Sequence, residues 1–165
     1  MKHSLLIGVS LACVASAAQA QTIDRRVLGC IAHVVYGEAR DEPVSGQIAV
    51  GQSIIFRAAA GLREHGGRDI CDVAYKNTPR RWEYDGAKVR IRERLAWDKS
   101  LEVAEFVLTS RHTPDMPYMY FCSTQVRKAC RWHDRATKFV RQIGNHRFYT
   151  DPRFPTLATF ASYQQ

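Results

Sequence analysis

Beyond its first twenty residues the chain has no long apolar run, and so no segment suited to crossing a bilayer as a helix. Proline and glycine are sparse, at 6 and 10 of 165 residues, which excludes collagen-like and proline-rich low-complexity architectures. Acid is in deficit: 16 Asp and Glu stand against 24 Lys and Arg, a formal net charge of +8. No CxxC or HxxxH spacing occurs, so neither a zinc site nor any other cofactor is expected. No RNA-recognition signature or zinc finger is present either, so nucleic acid is not an expected partner despite the charge. At this length, with 45% hydrophobic and 24% charged residues, the composition fits one globular domain.

The first twenty residues are of another kind. Lys2 precedes an apolar stretch from Leu5 to Ala18 that ends in Ala18-Gln19-Ala20, the layout of a secretory signal with its small-residue cleavage site. The expected organisation is therefore a signal peptide over 1–20 and a single domain over 21–165, exported to the periplasm or the exterior and not inserted in the membrane after processing. Ser10-Leu11-Ala12-Cys13 offers a lipoprotein site as the alternative, although Ser10 occupies a place where a large aliphatic residue is wanted. Removing 1–20 leaves 23 basic against 16 acidic residues, or +7, a balance suited to an anionic partner such as a bacterial wall polymer. Four cysteines remain, an even number in an exported chain. A bridge between Cys122 and Cys130 closes a short polar loop and leaves Cys30 with Cys71.

Hydrophobic spacing predicts a mainly helical α+β domain with a small antiparallel ribbon. Asp24 caps a first helix that runs to about Ala39, and Asp41-Glu42-Pro43 starts a second that continues to about Ala60. A short helical turn over Ile70 to Tyr75, a loop over Arg80 to Gly86 and a long helix from Ala87 to Ser110, interrupted near Asp98, follow. Tyr118 to Cys122 and Lys138 to Ile143 read as strands, and Asp151 to Gln165 as surface coil. Basic clusters at Arg80-Arg81 and Lys88-Arg90-Arg92-Arg94 interleave with Trp82, Tyr84 and Trp97, either as a stacking surface or as a solvated face.

One carboxylate breaks the pattern. At about 100° per residue, Glu38 falls about 20° from Val27, in the middle of the stripe formed by Val27, Ile31, Val34 and Val35. An acid on an apolar face resists ionisation unless a partner compensates, which is what a general acid toward a glycosidic oxygen requires. The other reading is that the helix ends before Glu38 and the side chain faces water. Gly37 beside it permits close approach of another backbone or of a substrate.

The run Val35-Tyr36-Gly37-Glu38-Ala39-Arg40-Asp41-Glu42-Pro43, followed by Gly46-Gln47-Ile48-Ala49-Val50, resembles the opening motif of the SleB-like cell-wall hydrolases. Ile143-Gly144-Asn145-His146-Arg147-Phe148-Tyr149 resembles the closing motif of the same family. The resemblance implies a lysozyme-like helical fold with a small β part. It further implies cleavage of peptidoglycan glycan strands, in characterised members by lytic transglycosylation, with Glu38 as the catalytic acid. The chain departs from the family at Phe56, where Asn usually precedes Arg57, and at Arg81-Trp82, where Gln-Phe is usual.

Tyr36, Trp82, Tyr84, Tyr120, Phe148 and Tyr149 are candidates to offer flat faces and phenolic oxygens to sugar rings, and Gln47 and His146 to hydrogen-bond N-acetyl groups. A two-carboxylate glycosidase needs a second acid, for which Asp41, Glu42, Glu83 and Asp85 are the neighbours in sequence. A lytic transglycosylase needs only one, and the expected function is therefore transglycosylation by a monomer acting on glycan strands. A muramidase-type hydrolase, a noncatalytic wall-binding protein, and a secreted ribonuclease using His133, His146 and Lys138 remain the alternatives.

Overall fold

Asp24 begins the first helix as its position implies, its carboxylate accepting the Arg26 amide at 2.8 Å. The computed structural model describes residues 22–76, 84–110, 117–126, 128–154 and 156–158. Helix α1 spans Arg25–Ala39 and α2 spans Val44–Ala60, with Pro43 at the N-cap of α2. Because α1 remains helical to Ala39, its apolar stripe holds its phase through Glu38. Ile31, Val34 and Val35 are completely buried, each contributing roughly 1.5–3 kcal/mol of burial free energy.

Helices α3 (Ile70–Ala74) and α4 (Arg94–Thr109) pack on α1, and α2 closes the group. A 3₁₀ turn lies at Arg63–His65 and another at Asp85–Lys88, the latter against α1. The long helix expected from Ala87 begins only at Arg94, because the preceding backbone is used elsewhere. The amides of Arg92 and Glu93 both donate to the Tyr36 hydroxyl, and His33 Nε2 donates to the Val89 carbonyl. Nor does α4 break at Asp98, whose carboxylate instead pairs with Arg94 one turn earlier at 3.1 Å.

The expected ribbon is a three-stranded antiparallel sheet: β1 (Tyr120–Ser123), β2 (Lys138–Ile143) and β3 (His146–Thr150), in the order β1-β3-β2. The segment after Gly144-Asn145, to which hydrophobic spacing assigns no element, is the central strand. It pairs Tyr149 with Tyr120 on one side and with Phe139 on the other. Between β1 and β2 lies a further short helix, α5 (Arg131–Ala136), that the hydrophobic spacing did not reveal, since all its residues are partly or fully exposed.

A second core of Phe56, Leu62, Met119, Tyr120, Tyr149 and Phe154 joins the end of α2 to the sheet. Phe154 is completely buried and its carbonyl accepts from the Thr150 hydroxyl at 2.7 Å, so the start of the final segment is a core plug rather than surface coil. Disulfides join Cys30 to Cys71 and Cys122 to Cys130. The first ties α1 to α3; the second closes the loop between β1 and α5. No helix among the described residues is long and apolar enough to cross a membrane. The segment expected to be a signal peptide, with Cys13, lies outside the described residues, as does most of the loop expected over Arg80 to Gly86.

Candidate active site

The site is built on an approach of two glycines. A Cβ on Gly37 would overlap the carbonyl of Gly86, and one on Gly86 would meet the backbone of Gly37 and Glu38. No other residue type permits that contact without displacement of a backbone. It brings the Gly86 amide to Glu38, where it donates to Oε1. The carboxylate, half-buried at the last turn of α1, is thereby fixed at the wall of a cleft of about 770 Å³.

Arg57 lines the same cleft. Its Nε donates to the Met119 carbonyl, and its guanidinium lies 4.8 Å from the ring centre of Tyr84 and 5.2 Å from that of Tyr120. The side chain is only 4% exposed. The Tyr84 hydroxyl is 3.3 Å from Ser53 Oγ, and the Tyr120 hydroxyl donates to Asp151 at 2.8 Å with His65 Nε2 at 3.2 Å. Burial, reinforced by Asp151, pushes the Tyr120 phenol far above the usual tyrosine range, so it stays protonated. Burial acts to raise Asp151, but its bonds from Arg153 and Tyr120 outweigh this and hold it down to about 2.

Glu64 and Asp85 stand exposed at the cleft, while Phe121, Trp132, His133 and His146 line its sheet side. His146 is held from behind. Its Nδ1 makes no hydrogen bond among the described residues but lies 3.7 Å from Glu42 Oε1, with both side chains more than nine-tenths buried. The other Glu42 oxygen accepts the Asn145 amide at 2.8 Å, beneath a turn where Gly144 has φ +56°. A Cβ on Gly144 would collide with that carboxylate. Burial lowers the pKa of His146, and Glu42 opposes the shift without cancelling it, so the imidazole is neutral at neutral pH.

Of the residues expected at the site, Glu38, Tyr84, Tyr120 and His146 line this one cleft. Four others lie elsewhere for evident reasons. Tyr36 is buried, its hydroxyl engaged by the Arg92 and Glu93 amides, and borders a separate pocket with Arg40 and Val89. Gln47 is buried under the α1–α2 turn, donating to the Glu42 carbonyl at 2.9 Å. Phe148 is fully buried in the helical core. Tyr149 is fully buried as well, its hydroxyl donating to Asp134 at 2.7 Å; burial and that bond push its pKa up to about 12. Trp82 and Glu83 lie outside the described residues, as does Arg81.

Among the second acids, Asp85 alone of those described lines the cleft; Asp41 projects into solvent and Glu42 faces the β2–β3 turn. Of the ribonuclease set, His133 and His146 reach the cleft but Lys138 does not line it. Arg57 was not expected as a site residue, although a signal existed: it is a lone cation near the end of a helix otherwise apolar on most sides. Among the described residues no group of His, Cys, Asp and Glu is arranged to hold a metal ion.

No curated protein matches the chain. The fold is similar to the catalytic domain of the germination-specific lytic transglycosylase SleB from Bacillus anthracis. That likeness has a TM-score of 0.55 and 21% sequence identity over 79% of this chain and 98% of that one. The profile of the Cell Wall Hydrolase family matches residues 41–149, a segment that starts just after Glu38 and includes Arg57, Tyr84, Tyr120 and His146. The chain belongs to the Cell Wall Hydrolase family.

Proposed function

We propose that this protein cleaves the glycan strands of peptidoglycan as a lytic transglycosylase, with Glu38 as its acid and base. The observation that carries the reading is the Glu38 carboxyl, fixed by the Gly86 amide at the wall of a polar and aromatic cleft. Glu38 gives its proton to the glycosidic oxygen as the bond to the muramoyl C1 breaks. The carboxylate left behind then takes the proton of the C6 hydroxyl of the same sugar, whose oxygen closes onto C1 to form a 1,6-anhydro ring. The proton count returns to its start and no water is consumed. Tyr84, Tyr120 and Arg57 pack together as a largely buried wall of the cleft, and the neutral His146 offers a hydrogen bond to an N-acetyl group.

Export of the 21–165 domain by the 1–20 signal places this activity outside the cytoplasm, where disulfides persist and the wall is found. The net positive charge favours encounter with an anionic envelope. Mass spectrometry of the soluble products from purified sacculi tests the reaction type. Anhydromuropeptides are expected; reducing muramic ends would assign hydrolysis, with Asp85 the acid to examine next, and binding without release would assign an adhesin.

A further inference from the structure

We propose that Trp132 is a stacking platform for a sugar ring bound away from the scissile bond, an inference that rests on the glycan-cleaving reading above. Trp132 is 59% exposed yet lines the same cleft as Glu38. Such exposure of the largest apolar side chain is unfavourable in the free protein and is removed when a pyranose lays its C–H face on the indole. Among the described residues its ring neighbours His133, at 5.0 Å, and Tyr120, at 6.1 Å, meet it edge to face and neither stacks parallel on it.

The helix that carries the indole is held in place before any ligand arrives. Trp132 follows directly on the Cys122–Cys130 loop, in the first turn of α5. That helix is tied to β3 by the Tyr149 hydroxyl on Asp134 and by Arg147 on Asp134 at 3.1 Å. A platform already ordered loses little entropy on binding. A chain of contacts separates Glu38 from Trp132: Gly86, which holds Glu38, lies two residues after Tyr84, Tyr84 meets Arg57, Arg57 meets Tyr120, and Tyr120 meets Trp132. The platform therefore serves a sugar beyond the reacting pair, and its contribution is to the binding of strands long enough to reach it.

Kinetics of Trp132→Ala and Trp132→Phe on glycan strands of defined length test the proposal, with thermal melts confirming that both variants fold. On long strands Trp132→Ala is expected to raise KM about tenfold with kcat within about twofold, as loss of one stacking contact implies. The shortest cleavable strand is expected to show little change, and Trp132→Phe to recover most of the loss. An unchanged KM in Trp132→Ala, an equal loss on short and long strands, or a loss confined to kcat would overturn the proposal. A wild-type protein that cleaves no glycan would instead overturn the functional reading on which it rests.

Discussion

Gly37 and Gly86 meet backbone to backbone, and the amide of the second is what holds the carboxylate next to the first. The contact couples packing to chemistry, because the spacing that admits Gly86 to α1 also sets where Glu38 Oε1 lies.

Gly37→Ala tests that coupling. The added methyl has nowhere to go except into the Gly86 backbone, so the turn must retreat from α1. The expected outcome is a loss of about 1–3 kcal/mol in a denaturant titration, the cost usual for overpacking, together with a larger loss of wall-clearing activity than that destabilisation explains. Alanine at Gly29, which lies inside α1 with open space around it, is expected to leave activity unchanged and to raise stability by about 0.5–1 kcal/mol, and serves as the control.

His146 gives the fold an acid-sensitive point. Burial lowers its pKa below the usual 6.5, so at mildly acidic pH the unfolded chain binds a proton that the folded chain refuses. The resulting stability is complete above about pH 6.5 and declines as pH falls through the lower folded value. Melting measured from pH 7.5 to 5 is expected to show this decline and to show it weakened in His146→Gln. In Glu42→Gln the His146 pKa, followed by NMR, is expected to fall further, because the one opposing charge is gone.

The Cys30–Cys71 bridge closes a loop with a sequence separation of 41 between α1 and α3. By loop-closure entropy its removal costs roughly 4 kcal/mol, within the usual range for a native disulfide. A Cys30→Ala, Cys71→Ala double variant is expected to unfold at markedly lower denaturant concentration than the parent. Reduction of the Cys122–Cys130 bridge, whose sequence separation is 8, is expected to cost less.

Much of this arrangement was legible in the sequence where one side chain's surroundings come from its own helix. The phase of Val27, Ile31, Val34 and Val35 placed Glu38 on the inner face, and Gly37 announced a close approach, although not that Gly86 would supply it. The boundaries of α1 and α2 followed from Asp24 and Pro43. What escaped depends on contacts distant in sequence. Tyr36 and Tyr149 have the chemistry of sugar-binding residues, but partners from 92–93 and from Asp134 consume their hydroxyls. The late start of α4 reflects the same use of the Tyr36 hydroxyl. Strand β3 escaped because, as the central strand, it is buried at four of its five positions and shows no alternation. Trp132 sits in a short exposed helix, where spacing carries no signal.

The central claim is that the Glu38 carboxyl moves the proton, and Glu38→Gln tests it most directly because the amide keeps the size of the side chain while removing its acidity. Release of soluble glycan from purified sacculi is to be followed alongside sacculus binding and thermal melting. The expected result is a folded variant that still binds the wall and releases no anhydromuropeptides, a loss of at least about a thousandfold on the scale of a missing proton donor. A Glu38→Gln protein that cleaves strands at a rate near the parent would contradict the mechanism.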